Sequence, residues 1–182
     1  MADLTEYPVS GETVFDGKLL HLRVDEARLP NGDLAIREYV KHPGGVGVLA
    51  LTDDREILLV RQFRYPYAEE TVEIPAGKRD PGESPLATGQ RELREETGAS
   101  ARDWISLGTV YPSPGYTDEI IHLYLATGLS FAAASPDEDE FLTVSRLPLD
   151  DAVRLVMDGK FPDAKTQIAV LKAAERMKEG RV

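Results

Sequence analysis

In the early part of the chain apolar residues fall in short runs, not at helical spacing. Glu12 to Arg28 carries Val14, Phe15, Leu19, Leu20, Leu22 and Val24 and is broken at Asp16-Gly17, which predicts strands. Pro30-Asn31-Gly32-Asp33 predicts a turn, and Leu34 to Val40 a strand that returns to pair. Gly44 to Thr52 and Glu56 to Phe63 are almost continuous in Val, Leu and Ile, so both are predicted as strands buried on two faces, joined as a hairpin around Asp53-Asp54. A short strand is expected at Thr71 to Ile74, ending at Pro75 and followed by a loop. The pattern then turns helical from Ser84-Pro85, an N-cap and first-turn pair, to Gly98, a left-handed cap. Strands are expected at Trp104 to Tyr111, Ile120 to Thr127 and Phe141 to Arg146. Helices are expected from Leu149 to Asp158 and from Ala164 to Lys178, the second behind Asp163 as N-cap. Helices inserted among strands without strict alternation predict an α/β fold with a mixed sheet covered by helices.

Composition narrows the function. At 182 residues the chain suits one domain with a real core. Its 21 basic and 32 acidic side chains give a net charge of −11, which repels phosphate backbones and argues against nucleic acid as a partner. An anionic small molecule is awkward for the same reason unless a cation mediates. The absence of cysteine excludes disulfides, thiol nucleophiles and thiolate metal sites. The start, MADLTEYPVS, has no basic segment leading into an apolar core, and no apolar run approaches the roughly 18 residues of a membrane span. A soluble, cytoplasmic protein without a membrane partner is the expectation.

The densest chemistry lies between Gly77 and Ala99, GKRDPGESPLATGQRELREETGA. On a helix turning about 100° per residue, Glu92 and Glu96 stand about 40° apart, with Glu95 about 60° to the other side of Glu92. Leu86, Leu93 and Thr97 group away from them and are predicted to face the core. Gly89 projects near the Glu92/Glu96 edge, where a side chain would crowd a bound group; glycine inside a helix costs roughly 0.5–1 kcal/mol relative to alanine. Two readings stand on the residues alone. One is a solvated face with an Arg91–Glu95 pair at i,i+4; the other is a site where a hard divalent cation reverses the repulsion between Glu92 and Glu96.

The segment resembles the Nudix box, G-x5-E-x7-R-E-U-x-E-E-x-G-U with U an aliphatic residue. Gly77, Glu83, Arg91, Glu92, Leu93, Glu95, Glu96 and Gly98 all fall in register, and only the last aliphatic position departs, as Ala99. The resemblance implies a Nudix-type α/β/α sandwich whose loop-helix-loop binds Mg²⁺ or Mn²⁺ through Glu92 and Glu96. Glu83 and Glu95 would be nearby ligands or act through water, the backbone carbonyl of Ala76 would reach a metal, and Arg91 would orient the carboxylates. The reaction it implies is hydrolysis of a nucleoside diphosphate linked to a group X, by in-line attack of water at phosphorus.

The flanks speak to X. Arg61-Gln62-Phe63-Arg64-Tyr65-Pro66, Glu73-Ile74-Pro75-Ala76-Gly77, Pro112-Ser113-Pro114-Gly115 and Asp163-Ala164-Lys165-Thr166 resemble the ADP-ribose pyrophosphatase branch of that family. Some NDP-sugar hydrolases share these flanks. The resemblance implies hydrolysis of ADP-ribose to AMP and ribose 5-phosphate. Arg64, and less strongly Arg61, suit the diphosphate or the base side, because a guanidinium meets phosphate bidentately; a surface ion pair is the plain alternative for each. Glu73 belongs to the same expected substrate-binding group, Tyr65 and Tyr67 are candidates to stack on adenine, and Glu119 to bond the terminal ribose. In the acidic run Asp137-Glu138-Asp139-Glu140, by default a solvated loop, the resemblance implies Glu138 as general base and Glu140 as an additional metal ligand.

The branch also implies a homodimer in which an N-terminal strand region, residues 1–40, is exchanged between subunits, with the hydrolase domain at 41–182; an acidic monomer is the alternative. A hydrolase for another NDP-sugar or a dinucleoside polyphosphate, or a non-catalytic nucleotide sensor, are the rival functions. Gly44-Gly45-Val46-Gly47 precedes a strand and is no phosphate loop, the three histidines lack metal-like spacing, and Trp104 is expected in the core.

Overall fold

The strand Gly45–Ala50 has every residue buried, and its side chains alternate between two hydrophobic clusters. Val46, Val48 and Ala50 meet Leu93 of the box helix on one face, while Leu49 and Leu51 meet Ala169, Val170 and Ala173 of the last helix on the other. One strand covered by a helix on each side is the centre of an α/β/α arrangement. The structure, a computed structural model, describes residues 2–135 and 141–181.

The strands are β1 (Tyr7–Asp16), β2 (His21–Arg28), β3 (Leu34–Lys41), β4 (Gly45–Ala50), β5 (Glu56–Arg64), β6 (Glu69–Glu73), β7 (Ala76–Lys78), β8 (Ala99–Val110), β9 (Ile121–Phe131) and β10 (Leu142–Pro148). The helices are α1 (Pro85–Thr97), α2 (Leu149–Met157) and α3 (Ala164–Lys178), with a 3₁₀ turn at Tyr65–Tyr67. They group into two units. The first, residues through Pro43 with Ser113–Glu119, is an antiparallel β1-β2-β3 sheet. The Ser113–Glu119 segment joins it through Val40, whose N–H donates to the Tyr116 carbonyl at 2.9 Å.

The second unit, Gly44–Pro112 with Ile120–Val182, holds two sheets. One is mixed, in the order β7-β4-β9-β8, with β4 and β9 parallel; the other, β10-β5-β6, is antiparallel. A hairpin between β4 and β5 is therefore a misreading. The Asp53-Asp54 turn exists, closed by the Thr52 N–H to the Glu56 carbonyl at 2.9 Å and by a single bridge from Leu51 to Ile57. Beyond that bridge the strands part, because both edges of β4 are occupied by β7 and β9 while β5 pairs with β10 and β6.

Helix α1 begins and ends where its caps predict. The Ser84 hydroxyl accepts from the Ala87 N–H at 3.2 Å, Pro85 opens the first turn, and Gly98 stands at φ +71°. Gly98 has a second constraint: a Cβ there would lie 2.2 Å from the Ala132 carbonyl oxygen. β8 starts directly at Ala99, earlier than the expected Trp104, and β7 occupies part of the expected loop after Pro75.

Candidate active site

Helix α1 turns Glu92 and Glu96 inward, at 6% and 2% relative exposure. The expected division into a core side and an opposite carboxylate side is corrected here. The buried side of α1 is Thr88, Gly89, Glu92, Leu93 and Glu96, whereas Leu86 is exposed. Gly89 likewise serves packing and not ligand space, since a Cβ there would press within 3.2 Å of both Val46 and Val48. Small size at that position lets the helix lie close on β4, which brings the two carboxylates down to the sheet edge.

The loop from Glu73 to Lys78 receives them. The Pro75 carbonyl accepts from the Val48 N–H at 2.8 Å, fixing the loop on β4, and the Ala76 N–H donates to Glu96 Oε2 at 2.9 Å. At Gly77 a Cβ would lie 2.0 Å from Glu92 Cδ. The glycine is thus a cradle for a carboxylate, and any side chain would expel it.

Arg91 ties the set together. Its Nη1 donates to Glu92 Oε1 at 2.7 Å and to Glu95 Oε2 at 3.0 Å, its Nε and Nη2 reach the two oxygens of Glu83 at 3.2 and 3.1 Å, and Nη2 also bonds the Lys78 carbonyl at 3.0 Å. The Arg91 hydrogen bonds, with lesser ones from Thr88 and the Asp80 N–H, outweigh desolvation and hold the Glu83 carboxyl at about 2. Arg91 in turn is held protonated well beyond its ordinary range, chiefly by Glu83. The i,i+4 pair with Glu95 is one strand of the same web.

Three glutamates around one guanidinium, with Glu96 on the neighbouring loop N–H, form an all-oxygen donor set with excess negative charge, beside a cradle that only glycine allows. That chemistry fits a hard divalent cation. Among the described residues no three carboxylates already stand as a closed cage, so an ion here would complete its shell with water and ligand oxygens, as magnesium commonly does.

A second charged group lies beside the loop. Arg64, at the end of β5, forks onto Glu73, with Nε to Oε1 and Nη2 to Oε2, both at 2.7 Å. Thr71 Oγ1 donates to the same carboxylate at 2.5 Å, and Lys165 Nζ, from the first turn of α3, makes a short ion pair with it. Burial pushes the Glu73 carboxyl up, yet Arg64, Lys165 and Thr71 together bring it down to about 2. Lys165 is the residue that sequence reasoning passed over. A lysine in the first turn opposes the helix macrodipole, so its position after Asp163 was a signal that a carboxylate partner awaited it.

The remaining candidates stand elsewhere. Arg61 faces Glu70 at 3.4 Å as an exposed ion pair. Tyr65 and Tyr67 are 87% and 76% exposed on the 3₁₀ turn after Arg64. Glu119 belongs to the first unit, where it lies 3.4 Å from His42. Trp104 packs edge-on against Tyr124 with ring centroids 6.1 Å apart, within the cluster under α1. Glu138 and Glu140 lie outside the described residues.

Residues 41–169 match the NUDIX domain family, and residues 8–40 match the nucleoside diphosphate sugar hydrolase N-terminal domain. The chain is 46% identical to the ADP-ribose pyrophosphatase of Bacillus subtilis (strain 168) over 93% of both chains. It is also 46% identical to the methanol dehydrogenase activator of Bacillus methanolicus, over 91% of this chain and 90% of that one. A crystal structure of an ADP compounds hydrolase superposes with a TM-score of 0.85 at 26% identity, covering 99% of each chain. Read with the carboxylate web on α1, these matches place the chain in the Nudix hydrolase family.

Proposed function

We propose that this Nudix hydrolase cleaves the diphosphate of ADP-ribose to AMP and ribose 5-phosphate, using Mg²⁺ or Mn²⁺. The observation that carries the reading is the pair of inward-facing carboxylates, Glu92 and Glu96, held on a loop that only glycine permits. The ADP-ribose pyrophosphatase of Bacillus subtilis, 46% identical over nearly all of both chains, supports the choice of substrate.

Glu92, Glu96 and the Ala76 backbone would hold the cation, with Glu83 and Glu95 as nearby ligands or acting through water, and Glu140 would serve as an additional ligand. The chemistry supplied by a divalent ion held there would be screening of the pyrophosphate charge and acidification of a water. Arg91 keeps the carboxylates aimed, and Arg64 presents the unforked side of its guanidinium to the diphosphate. Arg61 adds positive charge along the same strand. Glu138 takes the proton from the attacking water, and Glu119 bonds the terminal ribose hydroxyls. The protein works as a cytoplasmic homodimer through β1-β2-β3, a sheet that leaves Tyr7, Val9, Val14, Phe15, Leu34 and Ile36 exposed.

A second reading, hydrolysis of a different NDP-sugar, draws on the match of residues 8–40 to the nucleoside diphosphate sugar hydrolase N-terminal domain. Rates over a panel of ADP-ribose, NDP-sugars and dinucleoside polyphosphates with Mg²⁺ decide between them. ADP-ribose is expected to lead; a clear preference for GDP-mannose would overturn the assignment. Glu96→Gln is expected to abolish turnover and keep the fold, because the amide oxygen can still accept from the Ala76 N–H. A folded Glu96→Gln protein with near-normal rate would refute the metal assignment.

A further inference from the structure

We infer that Lys165, at the start of α3, is a positioning residue that acts through Glu73 to keep Arg64 available to the substrate diphosphate; this rests on the hydrolase reading above. The residues come from widely separated parts of the sequence, since Lys165 lies 92 positions beyond Glu73. All belong to the second unit.

The charges alternate. Arg64 forks onto Glu73, Glu73 meets Lys165, and Lys165 Nζ lies 3.0 Å from Asp163 Oδ1. Side-chain exposure falls from 39% at Arg64 to 3% at Glu73 and 10% at Lys165. The guanidinium is therefore the end of the chain that a ligand can reach, and the other members act from behind it. Glu73 alone would satisfy Arg64 completely and compete with an incoming phosphate for its charge. Lys165 takes up part of the negative charge on Glu73 Oε2, the oxygen that also receives Arg64 Nη2. The fork then fixes the direction of the guanidinium without neutralising it.

The same helix start reaches the metal loop by a second link. Asp163 caps α3 by accepting from the Thr166 N–H at 2.9 Å and its hydroxyl at 2.5 Å. Thr166 Oγ1 also accepts from the Ile74 N–H at 2.9 Å, two residues before Ala76. One turn of helix thus sets both the substrate arginine and the backbone next to the metal carboxylates. Its role is positioning, since Lys165 itself is turned away from solvent and onto Glu73.

The test is a double-mutant cycle on the full-length protein with Mg²⁺ and ADP-ribose, or with the best substrate of the panel should the wild type reject ADP-ribose. Failure of the substrate assignment would show in the wild type; failure of this inference shows only in the cycle. Lys165→Met is expected to raise KM about tenfold while kcat stays within about twofold, because the lost interaction precedes chemistry. In an Arg64→Ala background the same change is expected to alter KM by less than about twofold. Lys165→Arg, which keeps the charge, is expected to hold KM within about threefold of wild type. An unchanged KM in folded Lys165→Met, an equal KM effect in both backgrounds, or a loss confined to kcat would each overturn the inference. If Lys165→Met is too unstable to assay, Lys165→Gln takes its place in the cycle with the same criteria.

Discussion

A methyl group at position 77 would lie 2.0 Å from the Glu92 carboxyl carbon, so Gly77→Ala must displace either the loop or the Glu92 carboxylate. On the proposed metal role of Glu92, displacing its carboxylate by an ångström or more is expected to lower kcat at least about 100-fold. Circular dichroism should remain that of a folded protein, and a fully active Gly77→Ala would show that Glu92 is not held where metal chemistry needs it. Glu73 supplies a pH signature. Its carboxyl falls from an ordinary 4.5 to about 2, so its stabilisation is fully present above pH 4.5 and lost as pH drops toward 2. The contribution is on the order of 3 kcal/mol. Urea midpoints measured between pH 5 and 2 should therefore fall more steeply in wild type than in Glu73→Gln. At this scale the box residues were legible because their spacing is local. The Lys165–Glu73 pair was not, since no periodicity links residues 92 positions apart.

Helix α1 is fixed at both ends, and its C-terminal end is the less forgiving. Gly98→Ala would force φ +71° on a residue with a Cβ and drive that atom into the Ala132 carbonyl. A loss of about 1–3 kcal/mol is expected, read as a lower urea midpoint, whereas Ser84→Ala removes one cap bond and should cost about 1 kcal/mol. The caps and the helix length were readable because they depend on neighbouring residues. Two element-level readings failed because they depend on what lies across the fold. Asp53-Asp54 carries the chemistry of a hairpin turn, but β4 had better partners in β7 and β9. The helical projection of Gly89 was sound in angle and wrong in meaning, since the space it saves is filled by Val46 and Val48.

For the whole molecule, the exposed apolar residues of β1-β2-β3 set a test of assembly. Sedimentation should report a dimer, and Val9→Asp combined with Phe15→Asp should shift it toward monomer; a wild-type monomer at every concentration would refute the assembly. The α/β class and its helix-covered sheet were legible from strand runs buried on both faces, while the split into two sheets depended on long-range pairing. The Arg91 guanidinium already satisfies Glu83, Glu92 and Glu95, so chelators should strip activity without melting the protein. On the proposed metal role, an incoming ion must win those oxygens from a resident side chain. Affinity for bare magnesium should accordingly be weak and should sharpen when a nucleotide contributes its own oxygens, which makes cation and substrate joint arrivals rather than successive ones. Calorimetric titration with and without a non-hydrolysable analogue would show that synergy as a tighter second isotherm.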